Sequence, residues 1–173
     1  MVGSGKNTYF YLEKSIDHSM SHFLGEFECK LDAKGRMMIP SSLKKQMPEA
    51  EVSGLVINRG FEKHLVIYTR AEWDIITTQL SKLNSYEKKT RDFIRYFTRG
   101  ATELTVDAAG RVLLPKSLLE YAGIEGDVVL SSQFNKIEVW AKEAYEDQFD
   151  NEPENFAKLS EEVMGNANRR ADV

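Results

Sequence analysis

Residues 25–43 read GEFECKLDAKGRMMIPSSL, and residues 100–118 read GATELTVDAAGRVLLPKSL. The offset is 75 throughout, so Asp32 answers Asp107, Gly35 answers Gly110, Arg36 answers Arg111 and Pro40 answers Pro115. A second echo sets LVIYTRAEW (65–73) against IEVWAKEAY (137–145) at an offset of 72, which matches Tyr68 to Trp140. Two copies of one module of roughly 50 residues imply a built-in dimer with a pseudo-two-fold axis, and they are too few for a solenoid.

Within each copy the elements follow from local chemistry. Phe27, Cys29 and Leu31 alternate with Glu28 and Lys30, the pattern of a half-buried strand. Asp-Ala-x-Gly then predicts a turn, because Asp bonds its own backbone and Gly accepts positive φ. Met37, Met38 and Ile39 form a second apolar run, and Pro40 and Pro115 end these runs and open helices. Lys116 to Ala122 reads as a helix stopped by Gly123. VVLSS and KIEVW read as a strand pair joined around Gln133 to Asn135, and Glu143 to Phe149 as a closing helix.

Residues 1–21 match neither copy and are read as a flexible N-terminal extension. Met20 is a candidate native start, the alternative being a genuine flexible arm. The first module is assigned to 22–74, a connecting helical segment to 75–99 and the second module to 100–149. In the connection, Trp73, Ile76, Leu80 and Leu83 recur at helical spacing. Tyr86, Phe93, Ile94 and Phe97 continue on one side, with Lys88, Lys89, Arg91, Arg95 and Arg99 on the other. The last segment, 150–173, is poor in apolar residues and reads as an acidic disordered tail.

The net charge of −4 argues against a polyanionic partner until its distribution is considered. Nine acidic and three basic side chains fall in 143–173, so the 18 acidic and 20 basic residues of 1–142 leave the body at +2. A mildly basic body is compatible with a local basic face, which is what a polyanion meets. No apolar run approaches the roughly 18 residues of a membrane span, and no signal-peptide pattern opens the chain. A single cysteine, Cys29, excludes an internal disulfide, suits a reducing cytoplasm and reads as a structural thiol.

The recurring turn is the strongest candidate site. Arg36 and Arg111 follow their glycines directly, which places them near a hairpin tip. Arginine's planar, permanently charged fork matches a phosphate or the O6/N7 edge of guanine. Lys34 adds a charge that Ala109 lacks. The competing reading of the same residues is a structural turn with Asp and Arg paired across it. An acid/base dyad of Asp32 and Asp107 is disfavoured by the adjacent arginines. His18, His22 and His64 have no metal-ligand spacing, and no phosphate-cradle, dinucleotide or nucleophile-elbow motif is present. The expectation is therefore no enzyme, no cofactor, no metal and no small-molecule substrate.

FLGEFECKLDAKGRMMIP, RGATELTVDAAGRVLLP, LLEYAGIEGDVVL and NKIEVW closely resemble the MraZ family of bacterial transcriptional regulators, built from two AbrB-like (SpoVT-AbrB) modules. The resemblance covers roughly Phe23 to Phe149. It implies an α+β fold, a duplicated swapped-hairpin β-barrel flanked by helices. It also implies a cytoplasmic, nucleoid-associated homo-oligomer, ring-like, that binds double-stranded DNA at direct repeats in the promoter of a division and cell-wall gene cluster. The family's DNA-contacting segment falls on Asp32, Lys34, Gly35 and Arg36, and in the second copy on Asp107, Gly110 and Arg111. Because Ala109 departs from the pattern, the first copy is expected to dominate. The alternative is a protein-interaction or scaffold module of the same fold, an antitoxin-like partner without specific operator binding.

Overall fold

The computed structural model describes residues 22–150 and 152–171, so the expected N-terminal extension lies outside the described residues. The chain is α+β. Six strands form an antiparallel sheet in the order β1-β7-β8-β4-β3-β5, and two more form a separate ribbon, β2-β6. The strands are β1 Glu26–Lys30, β2 Arg36–Met38, β3 Leu55–Arg59, β4 Leu65–Thr69, β5 Thr102–Leu104, β6 Arg111–Leu113, β7 Asp127–Gln133 and β8 Lys136–Ala141. The helices are α1 Ser41–Lys44, α2 Ala50–Ser53, α3 Arg70–Ser81, α4 Lys88–Thr98, α5 Lys116–Ala122, α6 Lys142–Asp147 and α7 Glu152–Ala171.

The two copies exchange strands. β1 pairs with β7 of the second copy, and β5 pairs with β3 of the first. β2 and β6 pair with each other, and β4 and β8 join the two hairpins at the centre of the sheet. The registers locate the pseudo-two-fold axis. In the ribbon the offset of 75 turns the pair Arg36–Leu113 into Met38–Arg111 and leaves Met37–Val112 unchanged. In the sheet the offset of 72 exchanges Leu65–Val139 with Ile67–Ile137 and leaves Val66–Glu138 unchanged. The axis therefore passes through both invariant pairs.

Between ribbon and sheet lies the core. Met37 and Val112 face inward from the ribbon onto Leu55, Ile57, Leu65, Ile67, Leu130 and Val139, all at most 3% exposed. β3 and β4 are buried on both faces, because α3 and α4 cover the outer one. The cover is aromatic: Trp73 lies 5.5 Å from Tyr68 and stacks on Phe97 at 6.1 Å. Asn58 Nδ2 donates to the Phe97 carbonyl at 2.5 Å and ties α4 to β3.

Several expectations hold in detail. α5 runs Lys116–Ala122 and ends on Gly123 in the left-handed region, φ 64°. Cys29 is free and half-buried in β1, and burial pushes its thiol pKa up. The helix after Pro40, in contrast, is broken into α1 and α2. Pro48, which has no counterpart in the second copy, disfavours helical geometry at Met47.

The tail corrects the reading of disorder, since Glu152–Ala171 is one helix. Phe156, Leu159 and Val163 recur at intervals of three and four and give it an apolar stripe, which the low overall apolar content conceals. Among the described residues, those up to Ala141 form one compact unit and those from Lys142 onward form a second. No described helix is long and apolar enough to cross a membrane.

Candidate nucleic-acid interface

The two Asp-Ala-x-Gly-Arg turns have the same construction. Asp32 Oδ1 accepts the backbone N–H groups of Lys34 and Arg36, both at 2.9 Å, and Oδ2 accepts Arg36 Nε at 2.6 Å. In the second copy Asp107 Oδ1 accepts those of Ala109 and Arg111 at 2.9 Å, and Oδ2 accepts Arg111 Nε at 2.9 Å. Each turn closes through one backbone bond from the Asp N–H to the Arg carbonyl and another from the Gly N–H to the Asp carbonyl. Gly35 and Gly110 sit at φ 79° and 82°, where a side chain would be strained. The N–H groups of Arg36 and of Arg111, chiefly their backbone amides, hold the Asp32 and Asp107 carboxyls below the usual carboxylate range.

The structural Asp–Arg pairing is thus present, and it orients the arginines. Each stands at the first position after its turn, beside a hairpin tip closed by an Asp N–H to Arg carbonyl bond. Each begins a ribbon strand, and β1 leaves β2 after a single bridge between Leu31 and Met37. Side chains alternate along the ribbon. Met37 and Val112 point into the core, so Arg36, Met38, Arg111 and Leu113 share the outer face. Met38 and Leu113 are 51% and 59% exposed, and the arginines are partly covered. Nε of each fork is engaged with its aspartate; among the described residues the Nη groups have no hydrogen-bond partner.

The exchange also locks each turn to the other copy. Leu114 N–H donates to the Gly35 carbonyl and Ile39 N–H to the Gly110 carbonyl, both at 3.0 Å. It brings in two cations that linear reading misses. Lys116 shares a shallow groove with Lys34 and Leu113 beside the first turn. Lys44 Nζ lies 3.6 Å from where a Cβ on Gly110 would sit, and it pairs with Glu51 at 2.5 Å. No local signal could have found them, because each belongs to the copy opposite the turn it approaches. The first turn thus gathers Lys34, Arg36 and Lys116, whereas the second has Arg111 and a lysine already paired. Among the described residues no group of three or more His, Cys, Asp or Glu is placed to hold a metal ion.

A family model described as "MraZ protein, putative antitoxin-like" matches the chain twice, over 22–96 and 97–166. The chain belongs to the MraZ family. It is 46% identical over 148 residues to a Transcriptional regulator MraZ of Christiangramia forsetii, covering 85% of this chain and 96% of that one. It is 45% identical over 150 residues to the regulator of the same name from Flavobacterium psychrophilum, covering 86% and 96%. The one from Cytophaga hutchinsonii is 35% identical over 145 residues, covering 84% and 96%. These MraZ matches take in both turns and both halves of the ribbon.

Proposed function

We propose that this MraZ-family protein is a sequence-specific DNA-binding transcriptional regulator. The observation that carries the reading is the outer face of the β2-β6 ribbon, with Arg36 and Arg111 on one surface and their forks oriented by Asp32 and Asp107. A two-stranded ribbon fits the major groove, and arginine forks suit guanine edges and phosphates. Diagonal neighbours on such a ribbon stand about 7–8 Å apart, close to two base steps at about 3.4 Å per step.

Gly35 and Gly110 supply the turn geometry, and Lys34 and Lys116 add phosphate contacts beside the first turn. The first turn therefore contributes most of the affinity. The partner is promoter DNA carrying direct repeats, and the target is the family's division and cell-wall cluster, read in the cytoplasm at the nucleoid. Ribbon and sheet together would constitute the swapped-hairpin barrel.

One ribbon offers too few charged groups for an affinity near the usual 10⁻⁸ M, roughly, of specific complexes. A closed, ring-like homo-oligomer raises avidity by about 10²–10⁴ and explains a preference for repeats. A gel shift with DNA from upstream of the protein's own gene tests the reading, with the repeats intact or respaced by half a helical turn. Intact repeats shift at lower protein concentration. Equal shifts with unrelated DNA would favour the scaffold reading.

A further inference from the structure

A second site lies on the outer face of the sheet, away from the ribbon. Where β4 and β8 meet at the axis pair Val66–Glu138, a cavity of about 430 Å³ opens beneath α4 and Tyr121 of α5. That volume falls within the roughly 300–1,000 Å³ range of small-molecule sites.

Its walls are aromatic. Phe61, Phe93 and Phe97 form one side, with Phe61 and Phe97 at 6.3 Å and Phe93 and Phe97 at 5.9 Å. Tyr121 forms the other, its hydroxyl held by the Gly60 and Glu62 carbonyls, each at 3.2 Å. Three cations reach the cavity, Arg59, Arg99 and Lys136, and among the described residues none of them makes an ion pair. The Arg59 guanidinium lies 4.4 Å over the Tyr121 ring.

Two polar groups inside are unmatched. Arg59 Nε and His64 Nδ1 are buried and have no hydrogen-bond partner among the described residues. His64 is 3% exposed and stacks on Trp140 at 4.3 Å. Glu62 and Glu138 lie 3.5 and 3.6 Å from its nitrogens, and burial still holds its pKa below the ordinary value, so the imidazole is neutral near pH 7. A Cβ on Gly60 would come within 2.2 Å of Nε2, so glycine there is what admits the ring. Glu138 accepts Trp140 Nε1 at 2.9 Å, and Glu62 sits at the exposed rim. The interior therefore presents flat apolar rings, two unmatched polar atoms and an excess of cations.

We propose that this cavity binds a small planar aromatic anion, a ring bearing one phosphate or carboxylate, with the ring against the phenylalanines and the acidic group on Arg59, Arg99 and Lys136. The site is independent of the DNA reading. Hydrogen bonds to ionised groups and cation–π contacts both gain strength in a desolvated pocket.

Calorimetric titration of the full chain tests it. The probes are AMP and GMP for the phosphate class and 4-hydroxybenzoate for the carboxylate class. Adenosine and inorganic phosphate are the half-ligands. One class should bind saturably, one per chain, with a Kd below about 1 mM. Arg59→Ala and Arg99→Ala should each weaken it by about tenfold or more, while Lys34→Ala leaves it unchanged. Arg99 is exposed, so its variant keeps the test valid should Arg59→Ala destabilise the chain. Absence of saturable binding by every probe overturns the proposal. So does binding that survives both arginine variants, or that adenosine or phosphate alone reproduces in full.

Discussion

Two adjacent methionines test the ribbon. Met37 is fully buried against the core, and Met38 beside it is 51% exposed on the outer face. Met37→Ala removes Cγ, Sδ and Cε from the core. At about 0.8 kcal/mol per buried methylene-sized group the transfer loss is about 2.4 kcal/mol. Incomplete collapse of the cavity, at about 24 cal/mol per Å³, adds on the order of 1–2 kcal/mol. The expected cost is therefore about 3–4 kcal/mol. At about 2–4 °C per kcal/mol for a chain of this size, Tm falls by about 6–16 °C. Met38→Ala should cost no more than about 0.5 kcal/mol. Urea melts of the two variants give the comparison, with an unchanged slope showing that the denatured state is unaltered. Equal losses, or a larger loss for Met38→Ala, would refute the inward and outward alternation that puts both arginines on one face.

Arg111→Ala should weaken DNA binding less than Arg36→Ala, because the first turn also has Lys34 and Lys116; filter binding with both variants measures the ratio. Ala109→Lys should tighten DNA binding and steepen its salt dependence by about 0.9 in log–log slope if the second turn reaches phosphate; an unchanged slope would place that turn away from the duplex. His64 titrates below its ordinary value, chiefly through burial. The unfolded chain therefore takes up that proton first, and the His64 contribution, fully present above about pH 6.5, is lost as pH falls through the folded pKa. Urea melts at pH 7.5 and 5.5 should show this loss, and His64→Asn should reduce it.

The sequence carried much of the fold because duplication doubles a weak signal. A single Asp-Ala-Lys-Gly-Arg could be any turn, but its return as Asp107 to Arg111 inside a matched frame marked both copies and implied an axis. The position of the axis at Met37–Val112 and Val66–Glu138 needed strand pairing, which no local pattern encodes. Linear proximity does set Arg36 beside the hairpin turn, but it does not show which sheet the arginine joins. Only the exchange of β1 and β5 shows that the chain leaves one sheet at Lys30 and enters another at Arg36.

The second site was hidden for a different reason. Arg59, His64 and Tyr121 lie up to 62 positions apart and look like ordinary loop and helix residues. Their shared cavity arises from the meeting of β4 with β8. The tail was misread because composition weighs charge, whereas a helix needs only a narrow apolar stripe such as Phe156, Leu159 and Val163.

The central claim is that the ribbon arginines grip DNA while the turn itself is held by the aspartates. Fluorescence anisotropy with a labelled fragment from upstream of the gene, at about 50 and 200 mM salt, measures it for wild type and Arg36→Ala alongside their melting temperatures. Wild-type binding should be salt-sensitive, and Arg36→Ala should lose about 5- to 150-fold per engaged ribbon, as expected of a bidentate base contact, with Tm nearly unchanged. Unaltered affinity in a folded Arg36→Ala protein would contradict it.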